Sequence, residues 1–233
     1  MSMRQFSGPN CVRLAAGVIT LAITSAFAAD VSKATPLLPA KNLDAFYVFT
    51  QDHGVNQDPQ GVFRLINGTL RVSGEEQGYL ATKAEYSNYR LSSEYKWGSL
   101  PAGQTERDSG IFIHGHGPDR FFMASTECTL YRGSNWVSGQ VGPVAPNSVK
   151  NREKPIGEWN TLEIVTEGRR LQVTLNGYVV TEQTNAVRQS GKVLLQSRWG
   201  EVFFRRLELQ QDLAGLAHSI RLLSYYVPVE RDL

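Results

Sequence analysis

Residues 62–72 read VFRLINGTLRV, two alternating apolar and polar runs joined by Asn67-Gly68. Asn-Gly tolerates the positive φ angles of a type I′ turn, whose twist matches that of two antiparallel strands, so this stretch predicts a β-hairpin. The same period of two recurs along most of the chain. Gly78–Thr82, Tyr89–Trp97, Gly110–His114, Thr126–Tyr131, Asn160–Thr166, Leu171–Asn176, Tyr178–Thr181, Lys192–Gln196 and Val202–Leu209 all read as strands. In Tyr89–Trp97, Leu91, Ser93 and Tyr95 alternate with Arg90, Ser92, Glu94 and Lys96, the mark of a sheet with one buried face. No stretch of 42–209 carries a 3.6-residue apolar stripe. About ten short strands with Gly, Asn and Pro turns predict a single all-β domain, a β-sandwich or jelly roll. Two long loops, 98–108 and 132–158, interrupt it, and DLAGLAHSIRLL at 212–223 predicts a short C-terminal helix behind an Asp212 cap.

Composition agrees with one folded domain. Of 233 residues 41% are hydrophobic, enough for a core and too many for a disordered chain. The formal charge of +2 invites a nucleic-acid reading, but it rests on residues 1–28. That segment has Arg4 and Arg13, no acid, an apolar run from Leu14 to Ala28, and small residues at Ala26 and Ala28, the pattern of a secretory signal peptide. Its apolar run is shorter than the roughly 18–20 residues of a membrane-spanning helix. Cleavage after Ala28 would leave 22 basic and 22 acidic residues, hence no net field to attract a polyanion. It would also remove Cys11 and leave Cys128 as the lone cysteine, so no internal disulfide is expected. The expected organisation is a signal peptide (1–28), a lead-in segment (29–36), a β-sandwich domain (37–210) and a partly helical tail (211–233). Such a protein would work in the periplasm, at the cell surface or outside the cell, without spanning the membrane.

Candidate chemistry gathers on two predicted strands. In DSGIFIHG at 108–115, alternation sets Ile111 and Ile113 towards the core, and Phe112 and His114 on the opposite face. In TECTLY at 126–131, Cys128 and Leu130 take the core face, which turns Glu127 and Thr129 outward and makes Cys128 a buried small hydrophobe. A carboxylate and an imidazole on one open face could supply a base and an orienting or electrophilic partner. His114-Gly115-His116 with Glu127 or Asp108 also has donors for a divalent metal ion with one open position. Trp97, Trp136 and Trp199 are candidate platforms for the apolar faces of sugar rings. There is no GxSxG elbow, phosphate-binding glycine loop, HExxH or dinucleotide fingerprint.

The order of LPAKNLDAFYVF (38–49), GVFRLINGTLRVSGEEQGYLATKAEYSNYRLSSEYKWG (61–98), RDSGIFIHGHGPD (107–119) and STECTLYRG (125–133) resembles the 3-keto-disaccharide hydrolase domain family. The likeness continues through GEWNTLEIVTEGRRLQVTLNGYVV (157–180) and GKVLLQSRWGEVFFRRLEL (191–209), covering about residues 37–210. It implies a concanavalin A-like jelly-roll β-sandwich and an exported hydrolase of 3-keto-glycosides. The family's serine-glycine-isoleucine strand is Ser109-Gly110-Ile111 here, preceded by Arg107 and Asp108, and its acidic strand position is Glu127. Two departures stand out: Arg198-Trp199-Gly200 replaces a His-Gly or Gly-Gly turn, and Phe204-Arg205-Arg206 replaces Phe-Arg-Asn. The first alters a pocket rim and bears on specificity.

A ketone at C3 of a sugar acidifies the proton at C2, so a base can set up expulsion of the aglycone from C1, after which water adds back. That route needs one base and a partner for the enolate oxygen, rather than the paired carboxylates of an ordinary glycosidase. The catalytic set expected from the sequence is Glu127, His114 and Asp108. Substrate binding is expected from Arg107, Trp97, Trp136, Arg198 and Trp199, with a divalent ion on His114, His116 and Glu127. The alternative is a non-catalytic, lectin-like carbohydrate-binding module of the same fold.

Overall fold

The computed structural model describes residues 33–38, 41–131, 137–139 and 152–211. The predicted leader, most of the 132–158 loop with Trp136, and the 212–223 helix lie outside the described residues. In chain order the strands are β1 (Thr35–Pro36), β2 (Phe46–Thr50), β3 (Gly54–Val55), β4 (Phe63–Ile66), β5 (Thr69–Val72), β6 (Gly78–Thr82), β7 (Tyr86–Ser87) and β8 (Tyr89–Trp97). They continue with β9 (Asp108–His116), β10 (Ala124–Tyr131), β11 (Val137–Gly139), β12 (Asn160–Glu167), β13 (Arg170–Leu175), β14 (Tyr178–Gln183), β15 (Ser190–Ser197) and β16 (Val202–Gln211).

The 62–72 hairpin forms as its sequence dictates. β4 and β5 pair with Leu65 opposite Leu70, and Asn67 and Gly68 take φ of 51° and 75°. Two antiparallel sheets result, one ordered β14-β13-β12-β8-β16-β5-β4 with β1 on β16, the other β11-β10-β9-β15-β6-β2-β3 with β7 on β15. One apolar core lies between them. Leu70, Val72, Leu91, Tyr95, Ile164 and Phe204 come from the first sheet, and Ile111, Ile113, Leu130, Val193 and Leu195 from the second, each almost wholly buried. Fully burying an aliphatic side chain of this size contributes roughly 1.5–3 kcal/mol, and this interlayer supplies most of the cohesion of a domain without disulfides. Cys128 is the buried core thiol expected, and burial, then the Glu127 charge, pushes its pKa up, so it is no nucleophile. This is the all-β jelly-roll sandwich read from the sequence. Among the described residues no helix is long and apolar enough to cross a membrane.

Candidate active site on the outer face of the second sheet

Strand register determines which side chains meet. Glu127 on β10 lies opposite Phe112 on β9, Phe112 opposite Leu194 on β15, Leu194 opposite Ala81 on β6, and Ala81 opposite Tyr47 on β2. These five form one row on the face pointing away from the core. In the next row Thr129 faces Gly110, Gln196 faces Tyr79 and Tyr79 faces Phe49. Because Ile111 pairs with Leu195, Gly110 and Gln196 are neighbours one step along. Beyond them Tyr131 lies opposite Asp108.

One half of this face is closed. Tyr79, Ala81, Phe112, Met123 and Leu194 form a second apolar cluster with Tyr47 and Phe49 against it, and Phe49 stacks on Tyr79 at 5.1 Å. Asp119, in the loop between β9 and β10, accepts hydrogen bonds from Tyr47 Oη (2.7 Å) and Tyr79 Oη (2.6 Å). Burial, then the Asp119 carboxylate, pushes both phenols up, so they stay protonated donors and clasp the loop to the sheet.

The other half, over β10, β9 and β15, is polar. Gly110 leaves a notch there: a Cβ at that position would come within 3.1 Å of Glu127 Oε1 and 3.2 Å of its Cγ, so the carboxylate occupies the space a side chain would fill. Beside the notch, Gln196 is 0% exposed and both its amide atoms lack a hydrogen-bond partner. Asp108 Oδ1, Arg107 Nε and Arg198 Nε are likewise buried and unpartnered. Buried polar atoms are nearly always satisfied, so this concentration marks a surface prepared for a polar ligand or ordered water. Tyr131 Oη donates to Glu106 Oε2 at its edge.

The Arg198-Trp199-Gly200 turn belongs to the same place. Trp199 and Asp108 exchange backbone hydrogen bonds, which lets Arg198 Nη1 reach Asp108 Oδ2 at 3.0 Å. The guanidinium lies 4.2 Å from the Trp199 ring centroid and 5.4 Å from that of half-exposed Phe122, a cation–π stack at the rim. Burial raises the Asp108 pKa and Arg198 opposes the rise. Gly200, at φ +95°, lies against Arg107, where a Cβ would meet Arg107 Cγ at 2.9 Å. Arg107 Nη2 donates to Gly98 O.

Four of the residues expected from sequence therefore meet, Arg107, Asp108, Arg198 and Trp199, and Glu127 lies on the same face over Gly110, two residues along β9 from Asp108. Others do not. His114 was expected beside Phe112 on the open face, but its ring packs edge-on to core residue Tyr89, with centroids 5.8 Å apart, and is 2% exposed. The reason is a β-bulge. Around His114 β9 holds one residue more than either neighbour, with register shifts on both β10 and β15, and His114 itself takes φ +56°. The extra residue reverses the alternation. His114 Nδ1 bonds to Arg188 O, and burial draws its pKa down to about 4. Trp97 is also a core residue, 3% exposed, its indole donating to Glu153 Oε1.

The divalent ion expected on His114, His116 and Glu127 does not fit. His114 lies between the sheets, Glu127 is on the outer face, His116 Nδ1 is bonded to the His114 carbonyl, and no three His, Cys, Asp or Glu residues converge among the described residues. Gln196, Phe122, Tyr131 and Glu106 join the site without having been singled out in the sequence. A signal for Gln196 existed: in KVLLQS it follows Leu194 at a spacing of two, on the face opposite Val193 and Leu195.

Known proteins give this geometry a context. The model of the 3-keto-alpha-glucoside-1,2-lyase-like domain family matches residues 33–210. Similar solved structures include two candidate glycosyl hydrolases from Parabacteroides distasonis ATCC 8503. One has a TM-score of 0.57 at 16% identity, covering 76% of this chain and 93% of the other. The second has a TM-score of 0.56 at 20% identity, covering 77% and 99%. A galectin-like protein of unknown function from Bacillus subtilis aligns with a TM-score of 0.54 at 9% identity, over 77% of this chain and 94% of that one. No curated relative matches the chain.

Proposed function

The chain belongs to the 3-keto-alpha-glucoside-1,2-lyase-like family, and from that premise we propose that it cleaves 3-keto-glycosides by elimination across C1–C2 followed by hydration. The observation that carries the reading is the Gly110 notch, which holds the Glu127 carboxylate over the sheet at the position that neighbours Gln196, whose buried amide is unpartnered. Glu127 takes the C2 proton and the C–H electron pair becomes the enolate of the C3 ketone. The enolate reforms the carbonyl as the C1–O bond breaks, giving a C1=C2 double bond, and the aglycone leaves with a proton. Water then adds its hydroxyl at C1 while a proton returns to C2, so the net reaction is hydrolysis. Arg198, held by Asp108 and the two aromatic rings, gives the rim positive charge near the developing oxyanion. Trp199 and Phe122 offer apolar faces to the aglycone.

The decisive experiment is incubation of the purified protein with a 3-keto-glucoside and with its unoxidised parent in D₂O. Release of the aglycone from the ketone alone, with deuterium entering at C2, is expected. Binding of sugars with no product and no exchange would overturn it in favour of the lectin-like module. Gly110→Ala supplies a finer check. The added methyl displaces the Glu127 carboxylate by a few tenths of an ångström, since 3.1 Å is tighter than ordinary contact. We expect kcat to fall by about 10–100-fold, with the thermal midpoint unchanged within about 3 °C. An unaltered kcat would detach Glu127 from the chemistry. The leader-like residues 1–28 add export to the proposal; mass spectrometry of protein from outside the cytoplasm should find Ala29 at its N-terminus.

A further inference from the structure

We infer that Gln196 is the group that recognises the ketone, its side-chain amide pairing with the C3 carbonyl and a hydroxyl on an adjacent carbon. This rests on the reading just given and identifies a residue for it. Gln196 sits in the second row of the outer face, between Gly110, which has no side chain, and Tyr79, whose hydroxyl is committed to Asp119. Its neighbours on that face are Leu194 and Tyr79 of the second apolar cluster on one side and Arg198, held by Asp108, on the other. A buried primary amide with donor and acceptor both idle is costly, and a bound partner removes that cost. Gln183 also has an idle amide, but it lies in the row of core residue Leu171 and faces the other sheet.

The chemistry of the partner follows from the amide. It presents an N–H and a C=O side by side in one plane, and their complement is a carbonyl beside a hydroxyl. A 3-keto sugar carries that pair, its ketone flanked by hydroxyls at C2 and C4. The N–H gains most when charge collects on the ketone oxygen as the C2 proton leaves, so the interaction strengthens on the way to the enolate. Gln196 neighbours Gly110, the position over which the Glu127 carboxylate lies.

Two measurements test this. In a Glu127→Gln background, where turnover does not interfere, calorimetry with methyl 3-keto-α-glucoside and methyl α-glucoside should show a preference for the ketone of about tenfold or more, equivalent to one good hydrogen bond. Adding Gln196→Leu should erase it to within about twofold. In the otherwise wild-type protein, Gln196→Leu should lower kcat by about 10²–10³, with a much smaller change in KM, as for other lost oxyanion donors. Gln196→Met, closer in shape, repeats the test should Leu disturb packing. A ketone preference that survives in the double variant, or a kcat within about threefold of wild type in both single variants, overturns the assignment. Wild-type turnover and its loss in Glu127→Gln do not depend on Gln196, so they report separately on the parent reading. Absence of wild-type turnover overturns both.

Discussion

Glu127→Gln should turn over a 3-keto-glucoside about 10²–10⁴-fold more slowly than wild type, the range for loss of a positioned general base. The substitution is nearly isosteric, so the amide still fits over Gly110, where the distance to a Cβ at that position is 3.1 Å. What disappears is the capacity to accept the C2 proton. The drop should therefore fall on kcat, with KM little changed, and deuterium should no longer enter at C2. Thermal unfolding should move little, because Glu127 is only half-buried on the outer face while its neighbours Cys128 and Leu130 hold the core. Activity within about tenfold of wild type, with exchange intact, would remove Glu127 from the role and shift attention to Asp108 and Glu106.

The second large effect is on stability. His114 is buried against Tyr89 with Nε2 unpartnered, and its pKa falls from the ordinary 6.5 to about 4, chiefly because burial disfavours the charged ring. The unfolded chain accordingly takes up a proton that the folded chain resists. A depressed pKa of this kind gives stability that is fully present above pH 6.5 and is lost as pH falls towards 4. The loss is on the order of 3 kcal/mol from this one group. His114→Asn, whose side chain suits the left-handed φ of +56°, removes the titration and some packing. Urea unfolding should find the variant weaker at pH 7 but with a flatter profile between pH 6.5 and 4. Parallel profiles for the two proteins would show that His114 is not the acid-sensitive group.

Legibility in the sequence followed the strength of the period. The Asn67-Gly68 hairpin and Tyr89–Trp97 were readable because alternation and turn chemistry agree, and Tyr89–Trp97 forms β8 residue for residue. Phe46–Thr50 escaped because FYVFT is continuously apolar, a strand caught between the core and the second cluster, without the alternation of a half-wet one. Asp108, Glu127 and Arg198 could be picked out as chemistry-bearing types. The meeting of Asp108 with Arg198 depends on the backbone bridge between Asp108 and Trp199, a contact between distant strands that local pattern does not encode. His114 was misplaced for a definable reason. One added residue in β9 shifts the period, and the room for it comes from Gly191, where a Cβ would lie 2.4 Å from the His114 carbonyl carbon. Only the partner strands reveal that.

The clasp of Tyr47 and Tyr79 on Asp119 also sets a boundary. It stands across β2 and β6, so the polar half of this face ends at β15, two strand spacings or about 10 Å from β10. A polysaccharide threaded along the whole sheet would have to pull both phenols off one carboxylate before it could lie flat. A short glycoside meets no such obstacle. For the activity proposed above, two tyrosines would thus set the working length, and that length suits a short glycoside.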